Sequence, residues 1–233
     1  TDARYTFRMS DDYTAKQNAI YTALRNTATI GHELHPSACV HHPTAGYIIA
    51  FRHPEPIMQR FTATAKAIQQ IVPSMPYAHE NGHTTLTVYQ CGSADAFVPD
   101  VAVLEHLCAV AASLSRSLWA AVQMTFQDWL LDTDTVLVAG QPNQAFWEVG
   151  KHIQMAGARR NLDLRMPWGA HMTAARFLTG ADQHTQLRLR AFLAEAPALG
   201  TSTPPAIEVG YYRCGPATFT LHSYQRFAQA SST

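Results

Sequence analysis

The chain has 233 residues, 47% of them hydrophobic and 15% charged, which is the composition of an ordinary globular protein with a sizeable core. Its 17 basic and 17 acidic residues give a formal net charge of zero, which argues against a long nucleic-acid duplex as the main partner. No apolar run reaches bilayer-spanning length, and the four cysteines form no Cys-x-x-Cys pair. We therefore expect a cytoplasmic protein with free thiols and no membrane segment.

Apolar periodicity predicts alternating helices and strands. The first element is a helix over 11–27, and an irregular segment rich in histidine and proline follows over 31–45. The later elements are predicted, in order, as a strand at 47–51, a helix at 53–72, a strand at 83–90, a helix at 100–118, strands at 122–126 and 135–139, a helix at 142–158, a strand at 170–178, a helix at 182–196, and strands at 207–213 and 218–224. This order of elements repeats in two similar halves.

A histidine followed two residues later by serine or threonine occurs four times in the chain. Two of these matches, at His35 and His42, have proline in the middle, which is unsuited to the interior of a sheet. The other two, His83-Thr84-Thr85-Leu86 and His171-Met172-Thr173-Ala174, lie on predicted strands, one in each half. Only these two matches lie on a predicted strand that is followed by a predicted amphipathic helix.

Side chains two residues apart on a strand point to the same face, so each motif presents an imidazole beside a hydroxyl. Strict alternation predicts one face of each strand, here called the motif face. It carries His83, Thr85, Thr87 and Tyr89 in the first strand and His171, Thr173, Ala175 and Phe177 in the second. If the two strands are neighbours, both pairs face one cleft. Such a cleft would hold an acid–base pair of histidines and two hydroxyls suited to an anion.

These two motifs resemble the signature of the two-histidine (2H) phosphoesterases, which have the LigT-like fold. The resemblance covers residues 46–229 and leaves 1–45 as a helical and irregular extension. It implies an α+β fold of two pseudo-symmetric lobes with antiparallel-rich central sheets, outer helices and an active cleft between the lobes. It also implies that His83 and His171 are catalytic and that Thr85 and Thr173 bind the substrate phosphate.

The resemblance implies a hydrolase that cleaves a cyclic phosphodiester or a 2′-5′-linked (oligo)nucleotide without a metal or other cofactor. Two histidines across one phosphate would act as base and acid, although pseudo-symmetry leaves open which does which. The expected partner is a nucleotide or short oligonucleotide. A nucleotide- or RNA-binding module of the same fold, without turnover, remains the alternative, and the oligomeric state stays open.

Four further side chains are candidates for lining the cleft, namely Tyr89, Arg165, Trp168 and Tyr211. Arginine suits a terminal phosphate, and an exposed aromatic face can stack on a base. The histidines between His32 and His42 suggest a metal site, but their spacing differs from the His-Glu-x-x-His pattern and Pro36 interrupts a helix there. We therefore predict no metal site.

Overall fold

A computed structural model of the protein describes residues 3–30, 33–77 and 79–228. Its helices are α1 (Ala3–Ile30), α2 (Ala38–His41), α3 (Glu55–Ile71), α4 (Val101–Ala112), α5 (Arg116–Ala120), α6 (Gln144–Ala158) and α7 (Gln183–Glu195). Its strands are β1 (Thr44–Arg52), β2 (Ser74–Pro76), β3 (Thr84–Ser93), β4 (Met124–Leu131), β5 (Thr135–Pro142), β6 (His171–Phe177), β7 (Gly200–Ser202), β8 (Ala206–Cys214) and β9 (Phe219–Ala228).

The strands form two antiparallel sheets, which confirms the predicted α+β class. One sheet has the order β3-β1-β8-β9 and the other β2-β6-β5-β4-β7. The two histidine motifs therefore lie in different sheets, where β3 and β6 approach each other without pairing. Within the described part of the chain, no helix is long and apolar enough to cross a membrane.

Apolar periodicity explains the helices that cover these sheets. In α3 the buried side chains include Ile57, Phe61, Ala65 and Ile68, which recur at helical spacing. This helix carries Pro56 in its first turn, where its fixed φ is favourable and its missing N–H is not needed. It packs against β6 and β2, so it supports the sheet that carries the second histidine motif.

Several element boundaries differ from the predicted ones for local reasons. The predicted helix over 100–118 is divided into α4 and α5, because the Ser115 side chain accepts a hydrogen bond from the Leu118 N–H and starts a new helix. The short strands β2 and β7 were not predicted, since three residues carry too little periodicity. The short helix α2 lies within the segment predicted to be irregular.

A β-bulge at the last residue of each histidine motif changes which side chains share the motif face. Leu86 in β3 and Ala174 in β6 are the extra residues, and each comes three positions after its histidine. The predicted alternation is therefore wrong beyond each threonine. Val88 lines the same cavity as His83, and Arg176 the same cavity as His171. The side chains of Thr87, Ala175 and Phe177, predicted to share the motif faces, are buried instead.

A buried histidine that the sequence analysis did not single out links the two sheets. His53, just after β1, has Nδ1 2.8 Å from the Ser202 hydroxyl of β7 and Nε2 3.0 Å from the Thr84 hydroxyl of β3. It is only 6% exposed, and burial lowers its pKa to about 3, so the ring is neutral. This link holds the start of β3, and hence His83, at a fixed position relative to the second sheet.

We expect His53→Ala to lower the free energy of unfolding by about 3 kcal/mol, because it leaves the buried hydroxyls of Thr84 and Ser202 without their partner. Urea denaturation measures this loss. The matched control is His106→Ala, which removes an exposed histidine of α4 and should leave stability unchanged. Equal stability of the two variants would contradict a structural role for His53.

Candidate active site

The structure places both motif histidines on one cavity of about 290 Å³, here called the histidine cavity. Both threonines of the motifs also line it. Other side chains that line it are Cys39, Tyr77, Val88, Asp134, Arg176, Tyr212, Cys214 and Phe219. A separate cavity of about 620 Å³, lined by Leu34 and the start of α7, contains neither histidine.

Each imidazole is fixed by the same kind of hydrogen bond. His83 Nδ1 lies 2.6 Å from the Asn81 carbonyl oxygen, and His171 Nδ1 lies 3.3 Å from the Gly169 carbonyl oxygen. In both cases the acceptor is two residues upstream. Because a carbonyl can only accept, Nδ1 carries the proton in both rings and Nε2 keeps its lone pair. Nε2 is therefore the nitrogen that each ring has available for chemistry in the cavity.

Aromatic rings pack against both imidazoles. The His83 ring is stacked on Phe219, with centroids 5.8 Å apart and planes inclined by 16°. The His171 ring is stacked on Trp168, with centroids 4.1 Å apart and planes inclined by 28°. Together with the backbone hydrogen bonds, these contacts restrict rotation of the two rings.

Burial lowers the pKa of both imidazoles to about 4. The hydrogen bonds to the Asn81 and Gly169 carbonyls act in the opposite direction, but their effect is smaller than that of desolvation. The charge of His83 also contributes to the lowered pKa of His171. In the free protein at pH 7, the cavity therefore holds two neutral imidazoles.

Arg176 adds a cation to the cavity that sequence reasoning missed. Its Nε donates to the Tyr77 hydroxyl, 3.0 Å away, and Tyr77 is 3% exposed. The sequence places Arg176 on the opposite face from His171, and only the bulge at Ala174 brings it to the histidine side. No signal in the single sequence predicts that bulge.

Thr85 and Thr173 line the cavity, and neither hydroxyl has a hydrogen-bond partner among the described residues. With the Arg176 guanidinium they provide donors for an anion. Three donors and two imidazoles around one small space suit a phosphate group in size and charge.

Two thiols lie at the edge of the same cavity. The Cys214 Sγ–H donates to Cys39 Sγ at 2.6 Å, and this hydrogen bond lowers the pKa of Cys39 to about 6. Both side chains are buried. All four cysteines of the chain are free thiols in the structure, as the sequence analysis expects.

A third cavity of about 610 Å³, here called the adjoining cavity, shares Thr85, Val88 and His171 with the histidine cavity. Three of the four predicted cleft residues, Tyr89, Arg165 and Trp168, line it. The fourth, Tyr211, instead stacks on His222 with ring centroids 4.6 Å apart and lies outside the described lining of both cavities. Its placement corrects the expectation that it lines the cleft.

Among the residues that the structure describes, no group of three or more His, Cys, Asp or Glu side chains could hold a metal ion. The segment between His32 and His42 was the alternative metal site considered from the sequence. His32 itself lies outside the described residues, and His35, His41 and His42 carry exposed side chains.

The comparisons with solved structures show that the chain has the LigT-like fold. It is similar to Escherichia coli LigT in the apo form, with a TM-score of 0.54 and 15% identity over 81% of this chain and 99% of that one. LigT complexed with 3′-AMP gives a TM-score of 0.54 and 15% identity, over 80% and 99% of the two chains. TT0787 of Thermus thermophilus gives a TM-score of 0.53 and 12% identity, over 78% and 97%. No protein-family model and no curated protein sequence matches the chain.

We expect the ring signals of His83 and His171 to titrate with midpoints near pH 4, well below the value of about 6.5 for an exposed histidine. In the unfolded chain both imidazoles have the ordinary pKa of about 6.5, so they are protonated at a higher pH than in the folded protein. The free energy of unfolding should therefore fall as the pH drops from about 6.5 towards 4. NMR titration, with His83→Gln and His171→Gln for assignment, measures the midpoints. Midpoints near 6.5 for both rings would contradict the desolvated site.

Proposed function

We propose that the protein is a metal-independent phosphodiesterase that hydrolyses a cyclic phosphodiester or a 2′-5′-linked (oligo)nucleotide by two-histidine acid–base catalysis. One observation carries the proposal. Two imidazoles, each held through Nδ1 by a backbone carbonyl, line one small cavity together with Thr85, Thr173 and Arg176. On this proposal, residues 46–229 form the catalytic domain, with 1–45 as its extension.

Hydrolysis of a cyclic phosphodiester needs a proton removed from the attacking water and a proton given to the leaving ribose oxygen. On the proposed mechanism, the Nε2 atom of one histidine accepts the first proton and that of the other donates the second. Because both rings are neutral in the free protein, one of them must become protonated when the anionic substrate binds. The negative phosphate favours that protonation, since it stabilises the imidazolium.

The remaining polar groups of the cavity would hold the phosphate during this step. The hydroxyls of Thr85 and Thr173 are proposed to donate to its non-bridging oxygens, and Arg176 would neutralise the charge that develops on them. The hydrogen bond to Tyr77 uses only Nε of the Arg176 guanidinium, so its two terminal nitrogens do not take part in this contact. The pairing therefore orients the cation for phosphate binding.

Aromatic surfaces on both sides of the histidines support a nucleotide as the substrate. Trp168 is 41% exposed and lines the adjoining cavity, while the half-buried Tyr212 lines the histidine cavity. Such faces stack on bases without sequence preference. The crystal structure of LigT with 3′-AMP, a protein of the same fold, is consistent with this substrate class. The free thiols are consistent with the proposed cytoplasmic location.

We expect His83→Ala and His171→Ala each to lower turnover of a 2′,3′-cyclic nucleotide by at least about 10³-fold, because each removes one of the two proton transfers. A screen of 2′,3′-cyclic and 2′-5′-linked nucleotides by phosphorus NMR, with EDTA present, measures turnover. The control is His222→Ala, which alters a histidine outside the cavity lining. Full activity of both motif variants, or loss of activity in EDTA, would contradict the proposal, and nucleotide binding without any product would favour the binding-module alternative.

We also expect a bell-shaped pH dependence of kcat/KM with its maximum on the acid side of pH 6.5. The pKa of each free imidazole is lowered to about 4, so the imidazolium needed as the acid is lost at a lower pH than for an ordinary histidine. Initial rates across pH 4–9 measure the profile. The two apparent pKa values that it gives describe the histidine pair and are not assigned to either residue. A maximum above pH 6.5 would contradict the assignment.

A further inference from the structure

The two histidine motifs differ in what anchors the backbone carbonyl that holds the imidazole. In the first motif the acceptor belongs to Asn81, whose own side chain fixes it in place. Asn81 Nδ2 donates to the Phe219 carbonyl at 2.9 Å, and its Oδ1 accepts from the Leu221 N–H at 3.1 Å. The segment before His83 is therefore attached to β9 by an amide side chain within that segment.

The second motif has no such side chain of its own, because the residue at the equivalent position is Gly169. The N-terminal helix α1 supplies the missing polar groups. Gln17 Oε1 accepts from the Ala170 N–H at 2.8 Å, and the Tyr21 hydroxyl donates to the Ala170 carbonyl at 2.5 Å. Gln17 and Tyr21 are both completely buried. Two side chains of one helix thus bind both backbone groups of the residue directly before His171.

Gly169 allows this approach of α1. A Cβ atom at position 169 would lie 2.9 Å from Gln17 Cγ and 3.3 Å from the Tyr21 hydroxyl. The side chain of Gln17 therefore occupies the space that a side chain on Gly169 would fill. In this respect the amide of Gln17 replaces the amide that Asn81 provides in the first motif.

Helix α1 also lies on the correct face of the sheet for this role. Leu137 and Ala139 of β5 are paired in register with Thr173 and His171, so these side chains share one face. Tyr21 packs in one cluster with Leu137 and Ala139. The helix therefore covers the part of this face that lies outside the histidine cavity.

Further contacts hold α1 at both ends of this region. The Tyr13 ring is stacked on Trp147 of α6 with centroids 5.7 Å apart, and Arg25 forms a 2.6 Å ion pair with Asp128 of β4. Tyr21 also meets the edge of Trp168, the ring that is stacked on His171. Helix α1 therefore contacts both groups that hold the His171 imidazole, namely the backbone segment of Gly169 and the Trp168 ring.

We propose that Gln17 and Tyr21 are positioning residues for His171, acting through the backbone of Gly169 and Ala170. This inference rests on the proposed catalytic role of His171. It assigns a function to the extension over residues 1–45, for which the two-histidine resemblance supplies no counterpart. Without Gln17 the Ala170 N–H would be buried without a partner, and without Tyr21 the Ala170 carbonyl would keep only the hydrogen bond from the Gly140 N–H. The backbone that carries the Gly169 carbonyl would therefore be held less firmly.

Three full-length variants test the proposal, namely Gln17→Met, Tyr21→Phe and the double variant. The first removes the acceptor at similar side-chain length, and the second removes one hydroxyl while keeping the ring packed, so the fold is retained. The control is Asn18→Ala, which changes an exposed side chain of the same helix. We expect kcat on a 2′,3′-cyclic nucleotide to fall about 10²-fold in the double variant, as for a displacement of about 1 Å in a catalytic group. KM should change little, because α1 does not hold the phosphate-binding side chains.

A second measurement separates positioning from catalysis. Nitrogen-15 NMR of the His171 ring should show a single Nδ1–H tautomer in the wild-type protein and the Asn18→Ala control, and a mixture with the Nε2–H tautomer in the double variant. A single Nδ1–H tautomer in the double variant would overturn the proposal, whatever its activity or melting temperature. If the wild-type protein turns over none of the nucleotides, the proposed function fails, and the tautomer measurement still decides the role of Gln17 and Tyr21.

Discussion

The hydrogen bond from each imidazole Nδ1 to a backbone carbonyl two residues upstream is the interaction on which the candidate site depends. It fixes the tautomer, so that Nε2 of both His83 and His171 is the nitrogen left for proton transfer. It also sets the ring orientation together with the stacked Phe219 and Trp168. Burial also lowers the pKa of both rings, so they are neutral at pH 7 in the free protein.

The acceptors of these two hydrogen bonds are backbone carbonyls. The positions of both imidazoles therefore depend on how firmly the segments that carry Asn81 and Gly169 are held. The segment before His83 is attached to β9 through Asn81, and the start of β3 is joined to the second sheet through His53. The segment before His171 is joined to α1 through Gln17 and Tyr21, in addition to the backbone hydrogen bond from the Gly140 N–H of β5. The backbone acceptor of the first imidazole is thus anchored by a side chain of its own segment, Asn81. The acceptor of the second imidazole is anchored in part by side chains of the distant helix α1.

Hydrophobic periodicity was sufficient to predict most helices and strands and to place both histidine motifs on strands, because it is a local property of the sequence. The α+β class and the shared cleft were implied by the resemblance to the two-histidine phosphoesterases. The bulges at Leu86 and Ala174 are not local in this sense, since they depend on the register with β1 and β5. For that reason strict alternation predicts the wrong face for Thr87 and Ala175 and does not indicate that Arg176 lies on the histidine side. The contacts of Gln17 and Tyr21 with Ala170 were equally invisible, because about 150 positions of the chain separate them.

The central claim is that two imidazoles in one desolvated cavity become an acid and a base when a phosphate anion binds between them. Its most direct test is nitrogen-15 NMR of His83 and His171 at pH 7, in the free protein and with saturating 3′-AMP. We expect two neutral Nδ1–H rings in the free protein, and one imidazolium with one neutral ring in the complex. Two neutral rings or two imidazolium rings in the complex would contradict the account.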